Sequence, residues 1–137
     1  MDYTVFSTEF PDVKVFYNEP LKNYTFTKTG GRAAILIFPK DKKEASAVMH
    51  WLREHNIPTT ILGNASNVII KDGGISGAVI MLNDMSHLTV SGTQIVAEGG
   101  VALIDVSKEA AKNGLTGLEF ACGIPGSVGG AIFMNAG

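Results

Sequence analysis

The chain has 137 residues, of which 45% are hydrophobic and 18% charged, and a net charge of −2. That is one domain by length or a piece of a longer protein, able to bury about two-thirds of its unfolded surface, with a globular composition and not a disordered one. No basic run exceeds Lys40-Asp41-Lys42-Lys43, so electrostatic capture of nucleic acid or of an anionic membrane is not expected.

The first predicted strand is Val13-Lys14-Val15-Phe16-Tyr17, stopped before Pro20. Ala33 to Phe38 is a continuous apolar run ended by Pro39, which suits a strand buried on both faces. Asp41 to Asn56 predicts a helix. Asp41 and Glu44 have capping-box spacing, and Ala45, Val48, Met49 and Leu52 form one apolar stripe. Pro58 ends it, and Thr59-Thr60-Ile61-Leu62 follows as a strand, completing a strand–helix–strand unit. Further strands are expected at Asn67–Ile70 and Ala78–Leu82. Ser91-Gly92-Thr93 marks a hairpin between Leu88–Val90 and Gln94–Ala97. A second helix is expected over Leu103–Asn113, with Leu103, Val106 and Ala110 on its apolar face and Gly114 just past its end. The class is α+β.

Several chemistries lose their support. The single cysteine, Cys122, excludes an internal disulfide and a multi-cysteine metal site, and suits a reducing, cytosolic setting. It is expected to be a small buried residue. Met1-Asp2-Tyr3 opens no signal pattern, and no apolar run reaches the ~18 residues of a membrane span. No two glycines are spaced i, i+2, so the dinucleotide motif G-x-G-x-x-G cannot be written, and no glycine precedes a lysine as the P-loop requires. Ser127 follows Gly126, but Pro125 stands where the hydrolase elbow G-x-S-x-G needs glycine. His50 and His55 lie about 140° apart on an ideal helix and cannot share a metal. His87 reads as a loop residue.

The distribution of glycine is more informative. Of 16 glycines, none precedes Gly30 and seven fall in the last 24 residues. Two clusters stand out. In Gly63-Asn64-Ala65-Ser66-Asn67, glycine and asparagine tolerate the left-handed backbone that folds N–H groups inward as an anion nest; a plain Asx turn is the other reading. In Gly123-Ile124-Pro125-Gly126-Ser127-Val128-Gly129-Gly130-Ala131, Pro125 stiffens an entry turn and Ser127 can cap a short helix facing an anion. Val128, Ala131 and Ile132 suggest a packed segment, and a flexible loop is the alternative. Thr29-Gly30-Gly31 is a turn or a third point of close backbone approach.

These clusters, with Gly117–Ala131 running on to Asn135-Ala136-Gly137, resemble the FAD-binding domain of the UDP-N-acetylenolpyruvoylglucosamine reductase (MurB) family of bacterial cell-wall enzymes. Asn23-Tyr24-Thr25 followed by Thr29-Gly30-Gly31 resembles the family's opening segment. The resemblance implies an α+β fold of the vanillyl-alcohol-oxidase (PCMH) type, in which two small α/β subdomains clasp FAD. It implies that NADPH reduces the flavin, which reduces the enolpyruvyl sugar nucleotide to UDP-N-acetylmuramate for peptidoglycan synthesis. By resemblance Gly63, Asn64, Ala65, Ser66 and Asn67 hold the pyrophosphate. Gly123, Ile124, Gly126, Ser127, Gly129 and Gly130 line flavin and phosphate, and Asn135, Ala136 and Gly137 complete that wall. Neither cluster contains histidine, so FAD is expected to be noncovalent.

Family members often carry glycine where this chain has Ala65; if the position needs positive φ, alanine costs about 1 kcal/mol. Their arginine, serine or cysteine proton donor and late glutamate lie beyond the Asn135–Gly137 stretch. Residues 1–137 are therefore expected to be one FAD-binding domain without the substrate-binding region, assigned no catalytic residue and inactive alone. The UDP-sugar is the expected partner of the whole protein, with neither nucleic acid nor membrane. Two alternatives remain: the flavin half of another oxidoreductase of this fold, and a nucleotide-binding module without catalysis.

Overall fold

A computed structural model describes residues 1–137. Its centre is a four-stranded sheet in the order β1-β2-β4-β3, from β1 (Lys14–Pro20), β2 (Arg32–Phe38), β3 (Thr59–Leu62) and β4 (Ile75–Met81). β2, β3 and β4 are parallel, and β1 closes one edge antiparallel. β1 runs through Pro20, beyond the expected stop, because an edge strand can spare the N–H that proline lacks.

β2 is buried on both faces, as its unbroken apolar run predicts. Ile35 and Ile37, with Ala78 and Ile80 of β4, join one core with Phe6 of helix α1 (Val5–Glu9) and with Val48, Trp51 and Leu52 of helix α2 (Lys42–Glu54). Leu36 and Phe38, with Val79 and Met81, face the other way, onto Leu21, Ala65 and Ile70. Each fully buried aliphatic side chain contributes roughly 1.5–3 kcal/mol.

The helix expected over 41–56 is α2. The Glu44 amide donates to Asp41 Oδ1 at 2.7 Å, and Glu44 Oε1 accepts from the Lys40 amide at 3.1 Å, one residue earlier than in a standard capping box. Trp51 adds to the expected stripe, edge-on to Phe6 with ring centroids 5.3 Å apart.

The strand expected at Asn67–Ile70 does not form. Both sides of β4 are taken by β2 and β3, so this apolar run meets no free ladder there. It turns instead, leaving Ile69 84% exposed and sending Ile70 into the second core. Lys71 O then accepts from the Gly31 and Gly74 amides, at 3.0 and 2.9 Å.

The second lobe carries the hairpin β5 (Leu88–Ser91) and β6 (Gln94–Ala97), turned at Gly92 with φ +59°. Helix α3 (Leu103–Lys112) buries Val106, Ser107 and Ala110 and stops at Gly114, φ +69°. Ser107 Oγ donates to Leu118 O at 2.9 Å, holding a 3₁₀ turn (Glu119–Gly123) against α3. The chain ends with helix α4 (Val128–Met134) and Asn135–Gly137. No helix is long and apolar enough to cross a membrane.

Asp41→Ala removes the one side-chain cap of α2 and is expected to cost about 1 kcal/mol, measured by urea unfolding; no change in the midpoint would refute the cap's contribution.

Candidate functional site

The first glycine cluster is the turn that leaves β3. Its left-handed residue is neither glycine nor asparagine but Ala65, at φ +56°. Alanine tolerates this strained conformation because its methyl, 4% exposed, is part of the second core. The loop is tied down further: Ser66 N donates to Asn64 Oδ1 at 3.2 Å, and Ala65 O accepts from Phe26 N at 3.3 Å. Tyr24 packs against the same core. Its phenol is raised above the ordinary tyrosine value by burial first and then by Glu19, whose Oε1 accepts its O–H at 3.0 Å.

The second cluster turns at Gly126, φ +117°, and Ser127 caps α4 by accepting from Gly130 N at 3.1 Å. It is zipped to a segment that sequence reasoning missed, Gly99–Leu103. Leu103 N donates to Gly126 O at 2.9 Å, Val128 N to Val101 O at 2.8 Å, and Gly129 N to Gly99 O at 2.9 Å. The Gly99-Gly100 doublet was the available signal. A Cβ on Gly100 would overlap the Leu82 carbonyl, and one on Gly129 would come within 3.1 Å of Gly99 O. Backbone therefore packs on backbone from the end of β4 to the start of α4.

The two clusters meet, although Gly63 and Ser127 are more than sixty residues apart in the chain. A Cβ on Gly63 would collide with Ser127 Oγ, and a Cβ on Gly126 would lie 3.1 Å from Ser66 Oγ. The junction lies beyond the carboxyl ends of parallel strands β3 and β4, where open α/β sheets place ligands. Neither loop carries a charged side chain. The amides of Gly63, Asn64 and Ala65, and those of Gly126 and Ser127, donate to no acceptor within the protein. Successive free N–H groups on turning backbone form an anion nest that needs no lysine.

Three expectations are corrected. The first turn of α4 does not offer its amides to an anion: those of Val128, Gly129 and Gly130 are all spent within the protein. The free donors precede the helix. Nor is α4 a packed segment, since none of its residues is buried and Ile132 and Phe133 are 76% and 87% exposed. Cys122 is exposed, because the 3₁₀ turn directs Ala121 inward in its place.

Of the other expected site residues, Gly123 is exposed and Ile124 half-buried before the turn, and Asn67 is exposed. Gly129 and Gly130 present Cα surface. Asn135 (φ +49°), Ala136 and Gly137 lie at the far end of α4, about 10 Å along its axis, where Gly137 approaches Phe120. No hydrogen bond joins them to the Gly63–Asn67 loop. Thr29-Gly30-Gly31 is a point of backbone approach, but to the chain itself: a Cβ on Gly31 would strike the Asp72 carbonyl.

A two-lobed α+β domain with uncharged loops and unpaired amides at its strand ends has the character of a domain for an anionic, nucleotide-type cofactor. The FAD binding domain family matches residues 33–137, and the chain belongs to that family. Among its relatives, the UDP-N-acetylenolpyruvoylglucosamine reductase of Pediococcus pentosaceus is 50% identical over 137 residues, covering 100% of this chain and 45% of that protein. The Lactiplantibacillus plantarum reductase is 55% identical over 128 residues, 93% of this chain and 42% of that protein. The crystal structure of UDP-N-acetylenolpyruvylglucosamine reductase (MurB) from Thermus caldophilus superposes with a TM-score of 0.68 at 35% identity, over 91% of this chain and 42% of that one. Alkyldihydroxyacetonephosphate synthase, 14% identical with a TM-score of 0.61 over 83% of this chain and 26% of that one, shares the fold. The chain spans less than half the length of the reductases it matches. The fold is the α+β, vanillyl-alcohol-oxidase type expected from the sequence.

Ala65→Gly relieves the left-handed strain but deletes a buried methyl and loosens the unfolded chain. Relief of the strain stabilises by about 1–2 kcal/mol, while the lost methyl and the looser unfolded chain destabilise by about 0.8 and 0.4–1 kcal/mol, so the three nearly cancel. Stability is expected to change by less than about 1 kcal/mol in urea unfolding, and a loss above about 2 kcal/mol would show that the methyl dominates.

Proposed function

We propose that residues 1–137 form the FAD-binding domain of a UDP-N-acetylenolpyruvoylglucosamine reductase, a cytoplasmic enzyme of peptidoglycan synthesis that uses NADPH and yields UDP-N-acetylmuramate. The carrying observation is the contact of the Gly63–Asn67 loop with Gly126 and Ser127, in two loops without charged side chains where the amides of Gly63, Asn64, Ala65, Gly126 and Ser127 find no partner within the protein. The reductase assignment within the fold is supported by 50–55% identity to reductases over 93–100% of the chain.

The donors fit the group. A diphosphate bears acceptor oxygens on both phosphorus atoms and needs several N–H groups held at fixed spacing, which two short loops supply and one flexible side chain does not. Gly63, Asn64 and Ala65 would hold one side of it, and Gly126 and Ser127 the other. Gly129 and Gly130, lacking side chains, leave room for the cofactor to lie close to the backbone. The hydroxyls of Ser66 and Ser127 add donors at the junction. Bound FAD supplies a two-electron carrier between NADPH and the enolpyruvyl double bond. Residues 1–137 contribute binding and orientation. The UDP-sugar site and the proton donor would belong to other parts of the enzyme, and Asn135–Gly137 to the flavin wall.

Two measurements test this. The chain is expected to quench flavin fluorescence on titration with FAD, and no saturable binding would refute the cofactor assignment. Gly126→Val is expected to weaken FAD binding by at least about tenfold, since the new side chain meets both a positive φ and Ser66 Oγ; unchanged affinity would remove the second loop from the site. In the whole enzyme, NADPH oxidation is expected only when the enolpyruvyl sugar nucleotide is present. Oxidation of an alcohol by oxygen would indicate a different flavin oxidoreductase of the same fold.

A further inference from the structure

We infer that Ser66 and Ser127 are positioning residues that lock the two glycine loops into one cradle, an inference that rests on the FAD reading only for what the cradle holds. The contact is reciprocal. Each loop pairs a serine with a glycine: the Ser127 hydroxyl occupies the space where Gly63 would carry a Cβ, and the Ser66 hydroxyl lies 3.1 Å from the corresponding position on Gly126.

Ser127 is the firmer half. It is 2% exposed, and its Oγ is held by the Gly130 amide at 3.1 Å while lying over Gly63. A Cβ on Gly63 would overlap that oxygen and come 3.4 Å from Ser127 Cβ, so the oxygen is the obstacle and the rest of the side chain is not. Ser66 is the softer half: its hydroxyl lies 3.1 Å from the Cβ position of Gly126, and its amide is fixed by Asn64. A side chain on Gly63 would have to displace the Ser127 hydroxyl, and one on Gly126 would press on that of Ser66. The Ser127 side is anchored through Gly126, Val128 and Gly129 to Gly99–Leu103, and the Ser66 side through Ala65 to the sheet core. The interlock thus ties together two loops, one from each lobe, whose amides are free.

The test is a double-mutant cycle on the chain, Gly63→Ala with Ser127→Ala, read by urea unfolding and by titration with FAD. Gly63→Ala is expected to raise the unfolding equilibrium constant about 5–30-fold, as overpacking does. Ser127→Ala removes the helix cap and is expected to raise it about fivefold. The double variant is expected to fall at least about fivefold short of the product of the two, because the obstacle is gone. Multiplicative effects would overturn the interlock. Should Gly63→Ala fail to fold alone, folding of the double variant supports the proposal. If neither folds, backbone chemical shifts decide: those of Gly63–Asn67 must move in Ser127→Ala, and unchanged shifts overturn it.

For FAD, Gly63→Ala is expected to weaken binding at least about tenfold, while Val48→Ala, which weakens the distant core, leaves affinity within about twofold. Equal losses in both would reduce the serines to a general structural role. If the parent chain binds no FAD, the function proposed above fails, and the unfolding cycle still decides the interlock.

Discussion

Close approach of main chain to main chain holds the site together. Gly100 lies against the carbonyl at the end of β4, Gly129 against Gly99, and Ser127 over Gly63 at the end of β3. Leu82 N in turn donates to Leu62 O at 3.0 Å, so the path closes on itself. At Gly63 and Gly100 a Cβ would overlap an atom of another segment, and at Gly129 it would press on one. The glycines in this ring serve spacing. Positive φ is needed only at Gly126, which turns the second loop, and at Ala65, which turns the first.

The two lobes are unequal partners in this arrangement. The first has a sheet covered on both faces and most of the buried apolar residues. The second buries Val101, Val106, Ala110 and Ala121 and little else that is apolar. Its geometry therefore depends on backbone hydrogen bonds between Gly99–Leu103 and Gly126–Gly129 more than on a core. Such bonds are individually modest, about 0.5–1.5 kcal/mol net. Three of them, with a helix cap, are enough to fix a short loop, provided it is also seated against something rigid, and the first lobe supplies that seat.

The sequence was most legible where periodicity or turn chemistry acts locally. The cap at Asp41, the buried run of β2, the hairpin at Gly92 and the stop at Gly114 each follow from a handful of neighbouring residues. Both glycine loops were visible as clusters. That the two share one phosphate was implied by the family resemblance; what was not legible is the segment that brings them together, Gly99–Leu103. The errors share that origin. Asn67–Ile70 has the composition of a strand but finds no vacant sheet edge beside β4. Cys122 has the habit of a buried residue, but its neighbour Ala121 takes the inward position. The first turn of α4 has the pattern of an anion site, but its amides are consumed by Gly99, Val101 and Ser127. Local pattern tells which backbone can turn; only tertiary contact tells which donors are left over.

The absence of a cation from both loops has a mechanical consequence. A lysine-built phosphate site tolerates movement, since a four-carbon arm can follow its target and Coulomb attraction falls slowly with distance. A peptide amide has neither reach nor full charge, and its bond weakens steeply with misalignment. On the function proposed above, five amides drawn from two loops in two lobes would have to be held closely in place to act on one ligand. Glycine contacts between main chains, with serine hydroxyls filling the remaining space, are a way to achieve that tolerance, because they replace flexible side chains by atoms with almost no freedom to move. The neutrality of the site and the density of its backbone packing are two aspects of one design constraint.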